Sequence, residues 1–332
     1  MLPFNPFGGE FAVTRRFIRF AAAAAVVSLL AAGCASANRS GAPGSVEKPN
    51  LTVAMVPADD TAGWYIAQQE GLFAKQGLHV TIDPAISSET AIKQQLEGKY
   101  DVTDGNYVSY IQAVVQDHAD LEIFAAGSIM EPRCQEVVVP AGSPVKDVAQ
   151  LKGKTIGVNV PKNIGTLLVG ALLRDNGMTV QQVHFKYIAF PLMAKALQNH
   201  QIDAAWLPEP FVTGAEEQIG AEPIADLDSG ATQSLPISGY VVTRTWAHKY
   251  PRTLAALRRA LEQAQRIADT DPSAVEKAMA HYAPGVSATA AAVMAEPDFP
   301  LDTDTVLIQR VANLMQQFGL LQQHFDVASM IG

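Results

Sequence analysis

The chain has 332 residues, of which 48% are hydrophobic and 17% charged, and a formal net charge of −9. That length accommodates two ordinary domains, and that apolar content supports a sizeable core and excludes wholesale disorder. An acidic chain without a Lys/Arg cluster argues against nucleic-acid binding.

At the N-terminus, Arg15, Arg16 and Arg19 precede an apolar run from Phe20 to Ala32, which ends at Gly33-Cys34. A basic region, a short apolar segment and small residues make a secretory signal. Leu30-Ala-Ala-Gly-Cys34 resembles a bacterial lipobox, with Ala31 where that pattern prefers leucine. The resemblance makes residues 1–33 a lipoprotein signal peptide and Cys34 the lipidated, palmitate-bearing first residue of the mature chain. A plain signal peptide cut near Ala37 is the alternative. Thr14-Arg-Arg-Phe-Ile also resembles a twin-arginine export motif. Residues 34–49 are small and polar without periodicity, which suits a flexible tether. Loss of residues 1–33 reduces the 24 basic and 33 acidic residues to 21 and 32, so the mature chain is more acidic still. No later apolar run approaches the ~20 residues that span a bilayer, so the remainder is expected to be soluble. With Cys34 lipidated, Cys134 is the only thiol left, which excludes an internal disulfide and cysteine-based zinc or iron–sulfur frameworks.

Leu51 to Val56 reads as a strand, and Pro57 to Thr61 turns it into a helix from Ala62 to Glu70 with Asp60 or Thr61 as N-cap. A strand follows over 78–82, then a helix from Ser87-Ser88 to Leu96 with Gly98 just beyond it. Tyr100 to Thr103 is a strand, Tyr107 to Gln116 a helix and Leu121 to Ala125 a strand. The alternation predicts an α/β sheet with parallel strands. After Val137–Val139 it repeats, with strands at 155–159 and 184–188 and helices at 166–176 and 191–198. Ala204 to Trp206 is then an apolar strand that feeds a helix opening at Pro208, with Glu209 in its first turn, where a carboxylate complements the helix dipole.

Gly98-Lys-Tyr-Asp101 before one strand matches His200-Gln-Ile-Asp203 before another: a helix stop, a turn, an apolar residue and an aspartate. The match reads as one supersecondary unit used once per lobe. Gly239 to Thr243 is a strand that returns the chain to the first lobe, and four helices follow, over about 251–268, 272–281, 287–294 and 304–317. Their apolar stripes are core contacts.

Gly71-Leu-Phe-Ala-Lys-Gln-Gly77, Leu151-Lys-Gly-Lys-Thr-Ile-Gly157 and Trp206-Leu-Pro-Glu-Pro-Phe211 stand in an order that resembles the solute-binding proteins of ABC importers for nitrate, aliphatic sulfonates, taurine and thiamine-pyrimidine precursors. The resemblance covers about residues 50–325. It implies an α/β, type II periplasmic-binding fold of two lobes joined by two crossover strands, with lobe 1 at 50–136 plus 244–332 and lobe 2 at 137–243. It also implies a monomer that docks on permease subunits served by an ATPase, held by its lipid anchor at the extracytoplasmic face of the membrane, with no cofactor and no catalysis.

A cleft lined by helix N-termini offers unpaired N–H groups from both lobes. The turns facing it bring forward Asp59, Asp60, Trp64, Ser88, Thr90, Asn106, Tyr107, Asn163, Thr166, Trp206 and Glu209 as ligand-binding residues, with no catalytic or metal-binding set among them. Each has a structural alternative: Ser87, Ser88, Thr90, Asn163 and Thr166 as helix caps, Asp59 and Asp60 as caps, Tyr107 and Trp206 as core, Glu209 as a dipole partner. Acidic residues in these turns outnumber Lys162 and Arg133, which tilts the expected solute from an anion toward a neutral or amine-bearing heterocycle. The competing function is an enzyme like the thiamine-pyrimidine synthases of the same fold. It is disfavoured by the export signal and by the absence of a cysteine cluster.

Overall fold

The apolar runs that read as strands pair in two separate sheets of a computed structural model, which describes residues 45–283 and 286–332. The signal segment, Cys34 and most of the tether lie outside the described residues. The first half builds β1 (Asn50–Met55), α1 (Ala62–Gln69), α2 (Leu72–Lys75), β2 (His79–Pro84), α3 (Ser88–Leu96), β3 (Val102–Asn106), α4 (Tyr107–Asp117) and β4 (Leu121–Ile129). Then come β5 (Gln135–Val139), β6 (Thr155–Val158), α5 (Ile164–Asp175), β7 (His184–Tyr187), α6 (Phe190–Gln198), β8 (Ala204–Pro208), α7 (Phe211–Ile219) and β9 (Glu222–Asp226). The chain ends with β10 (Pro236–Thr243), α8 (Arg244–Lys249), α9 (Pro251–Thr270), α10 (Pro272–Tyr282), α11 (Ala288–Ala291) and α12 (Thr305–Gln317).

The first sheet has the order β2-β1-β3-β10-β4 and the second β7-β6-β8-β5-β9. In each, three parallel strands are followed by one antiparallel strand that has crossed from the other half of the chain: β10 lies against β3 and β4, and β5 against β8 and β9. These crossings correct the expected lobe boundaries. β5 begins at Gln135, and β10 runs over 236–243 within the first sheet, whereas the sequence places residues up to 243 in the second lobe. The strand expected to return the chain near Gly239–Thr243 is β10, which begins at Pro236 and belongs wholly to the first sheet because it pairs with both β3 and β4.

The internal repeat is present atom for atom. Gly98 and His200 both have left-handed backbones, with φ of 84° and 54°. Asp101 N–H donates to the Thr52 carbonyl at 2.8 Å while its carboxylate accepts from Thr52 N–H at 3.0 Å. Asp203 does the same with Thr155, at 2.8 Å in both directions. Each aspartate locks the start of its strand to a parallel neighbour, β1 in the first sheet and β6 in the second.

Helices α1, α9 and α10 bury Trp64, Leu257, Leu261 and Met279 with Tyr240 of the first sheet. The other core runs through the second sheet and on through Val108 and Ile111 of α4 and Val311 and Met315 of α12. The tail thus joins both lobes. Among the described residues no helix is long and apolar enough to cross a membrane.

Candidate functional site

Strands β1, β3, β6 and β8 end on one side of their sheets, and the turns that leave them face each other across the gap between the lobes. This is where open α/β sheets hold ligands. Val56, Ala58, Asp59, Asp60, Ser88, Asp104 and Asn106 line the gap from the first lobe, and Asn159, Ile164, Phe190, Trp206 and Pro208 from the second. Gln135 and Ile237, beside the two crossovers, form its floor. The cleft is small, with a cavity volume of about 40 Å³. A single water needs roughly 10–15 Å³ by that measure, so the lobes are nearly shut on a small volume.

Three carboxylates share this volume. Asp59 and Asp104 are almost fully buried, and Asp60 is partly so. Burial pushes the Asp59 carboxyl well up, aided by the neighbouring charges of Asp60 and Glu209. Burial does the same at Asp104, where Asp60 adds to it and N–H groups from Val56 and Gly105 only partly offset it. Asp60 is raised by burial to about 6, against a hydrogen bond from the Ser238 hydroxyl. Asp60 Oδ1, Asp104 Oδ1 and Asn159 Oδ1 are buried without a hydrogen-bond partner among the described residues. Buried polar atoms are almost always paired, so three orphan acceptors in one cleft mark a place for donors.

The opposite wall is aromatic. Trp206 is 2% exposed, donates its Nε1–H to Gln135 Oε1 at 3.1 Å and meets Phe190 edge-on at 5.2 Å. Its ring abuts the first turn of α5, where a Cβ on Gly165 would come within 2.2 Å of it. Only glycine allows that approach.

Five of the expected contacts do line the cleft: Asp59, Asp60, Ser88, Asn106 and Trp206. The side chains of Asp59 and Asp60 do not cap α1, although Asp59 Oδ1 accepts from Asp60 N–H at 2.9 Å. Ser88 accepts from the N–H of Asn106 at 3.2 Å, and Asn106 caps α4. The other six stand elsewhere. Trp64 is in the core, edge-on to Tyr240. Thr90 bonds Ser87, the cap of α3. Tyr107 is buried behind the cleft against Gly239. Asn163 caps α5 and reaches across the gap to Ser109, at 3.0 Å, and to Glu89. Thr166 bonds the Asn163 carbonyl. The helix after β8 opens at Phe211 rather than Pro208, so Glu209 precedes it and accepts from Thr213 N–H, Thr213 Oγ1 and Ala295 N–H. Its carboxylate serves the helix start and the neighbouring segment. Lys162 and Arg133 are exposed and line nothing here.

Asp104, Gln135 and Asn159 were not singled out from the sequence as contacts. Asp104 stands inside β3, paired with Tyr240, and Asn159 in the turn that follows β6. Gln135 lies in a crossover strand whose place depends on the whole fold.

Solved structures share this architecture. The alkanesulfonate-binding protein SsuA of Xanthomonas axonopodis pv. citri, bound to MOPS, superposes with a TM-score of 0.72 at 18% identity, over 87% of this chain and 99% of its own. The desulfurization enzyme DSZB gives 0.64 at 17% identity, over 86% and 96%. At such identities the likeness establishes the fold, that of the periplasmic binding proteins, and not the activity. In sequence, a Haemophilus influenzae protein named for thiamine biosynthesis is 27% identical over 294 residues, 83% of this chain and 88% of that one. The model of the family described as NMT1/THI5 like matches residues 58–275, which is more than half of the chain. This protein therefore belongs to the NMT1/THI5-like family.

Proposed function

We propose that the protein is the extracytoplasmic solute-binding lipoprotein of an ABC importer, capturing a small nitrogen-bearing solute between its lobes and delivering it to permease subunits. The observation that carries this reading is the lining: orphan acceptors from both lobes, an aromatic on the second, and no lysine or arginine among the described residues that form it. Such a site favours a flat solute with N–H groups, such as an aminopyrimidine, over nitrate or a sulfonate. The reading extends to the lipid anchor at Cys34 and to a monomer working at the outer face of the cell membrane.

We favour binding over catalysis in this lining: its described residues include no lysine for a Schiff base and no cysteine, and the Ser88 hydroxyl accepts from Asn106 N–H and Nδ2. Cys134 is buried nearby, and its thiol is pushed far up by burial and by the charge of Asp59. An unreactive thiol of that kind is not a nucleophile.

A thermal-shift screen of the protein against small heterocycles, amines, sulfonates and nitrate tests the reading. A true ligand raises Tm by mass action, by about 2.7 kcal/mol of added stability at a hundred times its Kd. Turnover of any hit, followed by mass spectrometry, would replace this function with an enzymatic one. Palmitate labelling that is lost in Cys34→Ala tests the anchor.

A further inference from the structure

The carboxylates of the cleft face an unusual balance. Asp59 and Asp60 come from the β1–α1 turn and Asp104 from β3, yet among the described residues no cationic side chain shares the lining. The other titratable groups packed around them are acidic or neutral. Glu209, at the end of β8, has its pKa raised by burial. Glu136 and Cys134 flank the cleft from β5 and the crossover before it. The phenols of Tyr65 on α1, Tyr107 and Tyr110 on α4 and Tyr240 on β10 are all raised by burial and by nearby carboxylates. Arg133 acts on Glu136 from outside the cleft. Like charges confined in a small, buried space cannot all ionise, so an empty cleft keeps protons on its acids.

Three observations point at the ligand rather than at the acids alone. Asp104 is 1% exposed and its Oδ1 is unpartnered within the lining. Asp60 Oδ1 is a second orphan acceptor from the same lobe, and Asn159 Oδ1 a third from the opposite one. Trp206 lines the same space from the second lobe.

We propose that the cleft takes its solute as a cation in exchange for a proton, the N–H groups of the cation donating to Asp60 Oδ1 and Asp104 Oδ1 from one lobe and to Asn159 Oδ1 from the other. This rests on the solute-binding function proposed above. In the exchange a carboxyl O–H bond breaks and its proton passes to solvent. The carboxylate left behind is neutralised by the incoming cation, and no covalent bond to the solute forms. Acceptors on both lobes make the solute a bridge, so a cation with N–H groups on one edge only holds the first lobe without drawing in the second.

Three probes of similar size separate the charges: benzamidinium, benzamide and benzenesulfonate. Calorimetry between pH 5 and 8, in two buffers of different ionisation enthalpy, counts the protons released. The expected result is that benzamidinium binds best and releases protons. Its Kd then falls by up to about tenfold per pH unit for each proton exchanged, while the acid concerned is still protonated in the empty cleft. Asp104→Asn and, independently, the partly exposed Asp60→Asn should reduce both the proton count and the preference for the cation, and each should raise the Tm of the empty protein. Benzamidinium binding that is independent of pH, or tighter binding of benzamide or benzenesulfonate, overturns the exchange while leaving solute binding intact. If none of the probes binds and the wider thermal-shift screen also finds nothing, solute binding itself falls.

Discussion

Trp206 shows how far a single side chain can be both core and site. It lines the cleft, yet it is 2% exposed and wedged between Gly165, Phe190 and Gln135. Truncation to alanine should cost about 3–5 kcal/mol through the cavity it leaves, so loss of binding in Trp206→Ala would not separate the two roles. Trp206→Phe keeps most of the packing and frees Gln135 Oε1. Urea unfolding should show a smaller cost than for the alanine variant, and solute affinity should drop. Gly165→Ala is the complementary test: a methyl group placed at 2.2 Å from the indole pushes the ring into the cleft. Solute binding should fall by tenfold or more, measured by calorimetry, with a stability loss of about 1–3 kcal/mol from overpacking. Unchanged affinity in Gly165→Ala would remove Trp206 from the binding wall. Glu209 belongs to the other kind of residue. Its carboxylate accepts from Thr213 and Ala295 and does not line the cleft, so Glu209→Ala should cost about 1–3 kcal/mol by orphaning buried donors.

The elements explain why some of this could be read from the chain and some could not. The repeat was legible because its signals are local: a left-handed residue at Gly98 or His200 and an aspartate three residues later. The structure gives that aspartate a role in each sheet, gripping Thr52 or Thr155 at both backbone groups. Asp101→Ala and Asp203→Ala should therefore destabilise alike in kind, each by about 1–3 kcal/mol in chemical unfolding. Asp101 should cost the more, since it also accepts from Lys48 and Trp246. The start of α7 was less legible, since Pro208 and Pro210 both suit a first turn. The strand pairing of Pro208 with Gln135 decided against the first of them. Trp64 follows a cleft-facing turn in sequence, but the face of α1 that carries it packs on α9 and Tyr240. A helix turns successive side chains away from each other, so nearness in sequence to the cleft is not nearness in space. Asp104 and Gln135 depended on how strands of distant sequence align.

At the scale of the whole molecule, acids with raised pKa values also set how stability follows pH. A carboxyl whose folded pKa lies above its unfolded value stabilises fully below the unfolded value, near 4, and that contribution is lost as pH rises through the folded one. Asp60 is raised to about 6, and Glu136 and Glu296 to about 7, with burial the leading cause in each case. Tm should accordingly decline between pH 5 and 7.5 in the empty protein, and the decline should shrink in Asp104→Asn. A Tm that rises over this window would show that these acids are ionised at no cost, and that the cleft is wetter than its geometry allows.

Closure is the remaining property of the whole, and it rests on polar contacts between the lobes. Asn163 caps α5 with Oδ1 and gives Nδ2 to Ser109 and Glu89, while Gln112 Nε2 donates to the Lys162 carbonyl at 2.8 Å. These contacts cross between helices of different lobes, and Glu89 and Ser109 lie outside the lining of the cleft. They can therefore alter closure without touching the solute. Asn163→Asp keeps the capping oxygen, removes the donor and places a carboxylate beside Glu89. Like charges there disfavour the shut state, so the radius of gyration from X-ray scattering should increase and solute affinity should weaken, about tenfold for 1.4 kcal/mol of closing free energy. The proton-release count should stay as it is, because the carboxylates of the cleft are unchanged. Adding Glu89→Gln removes the repulsion and should restore both compactness and affinity. If Asn163→Asp leaves scattering and affinity alone, this contact is a static seam between the lobes, and the solute must close the protein through Asn159 and Trp206 alone.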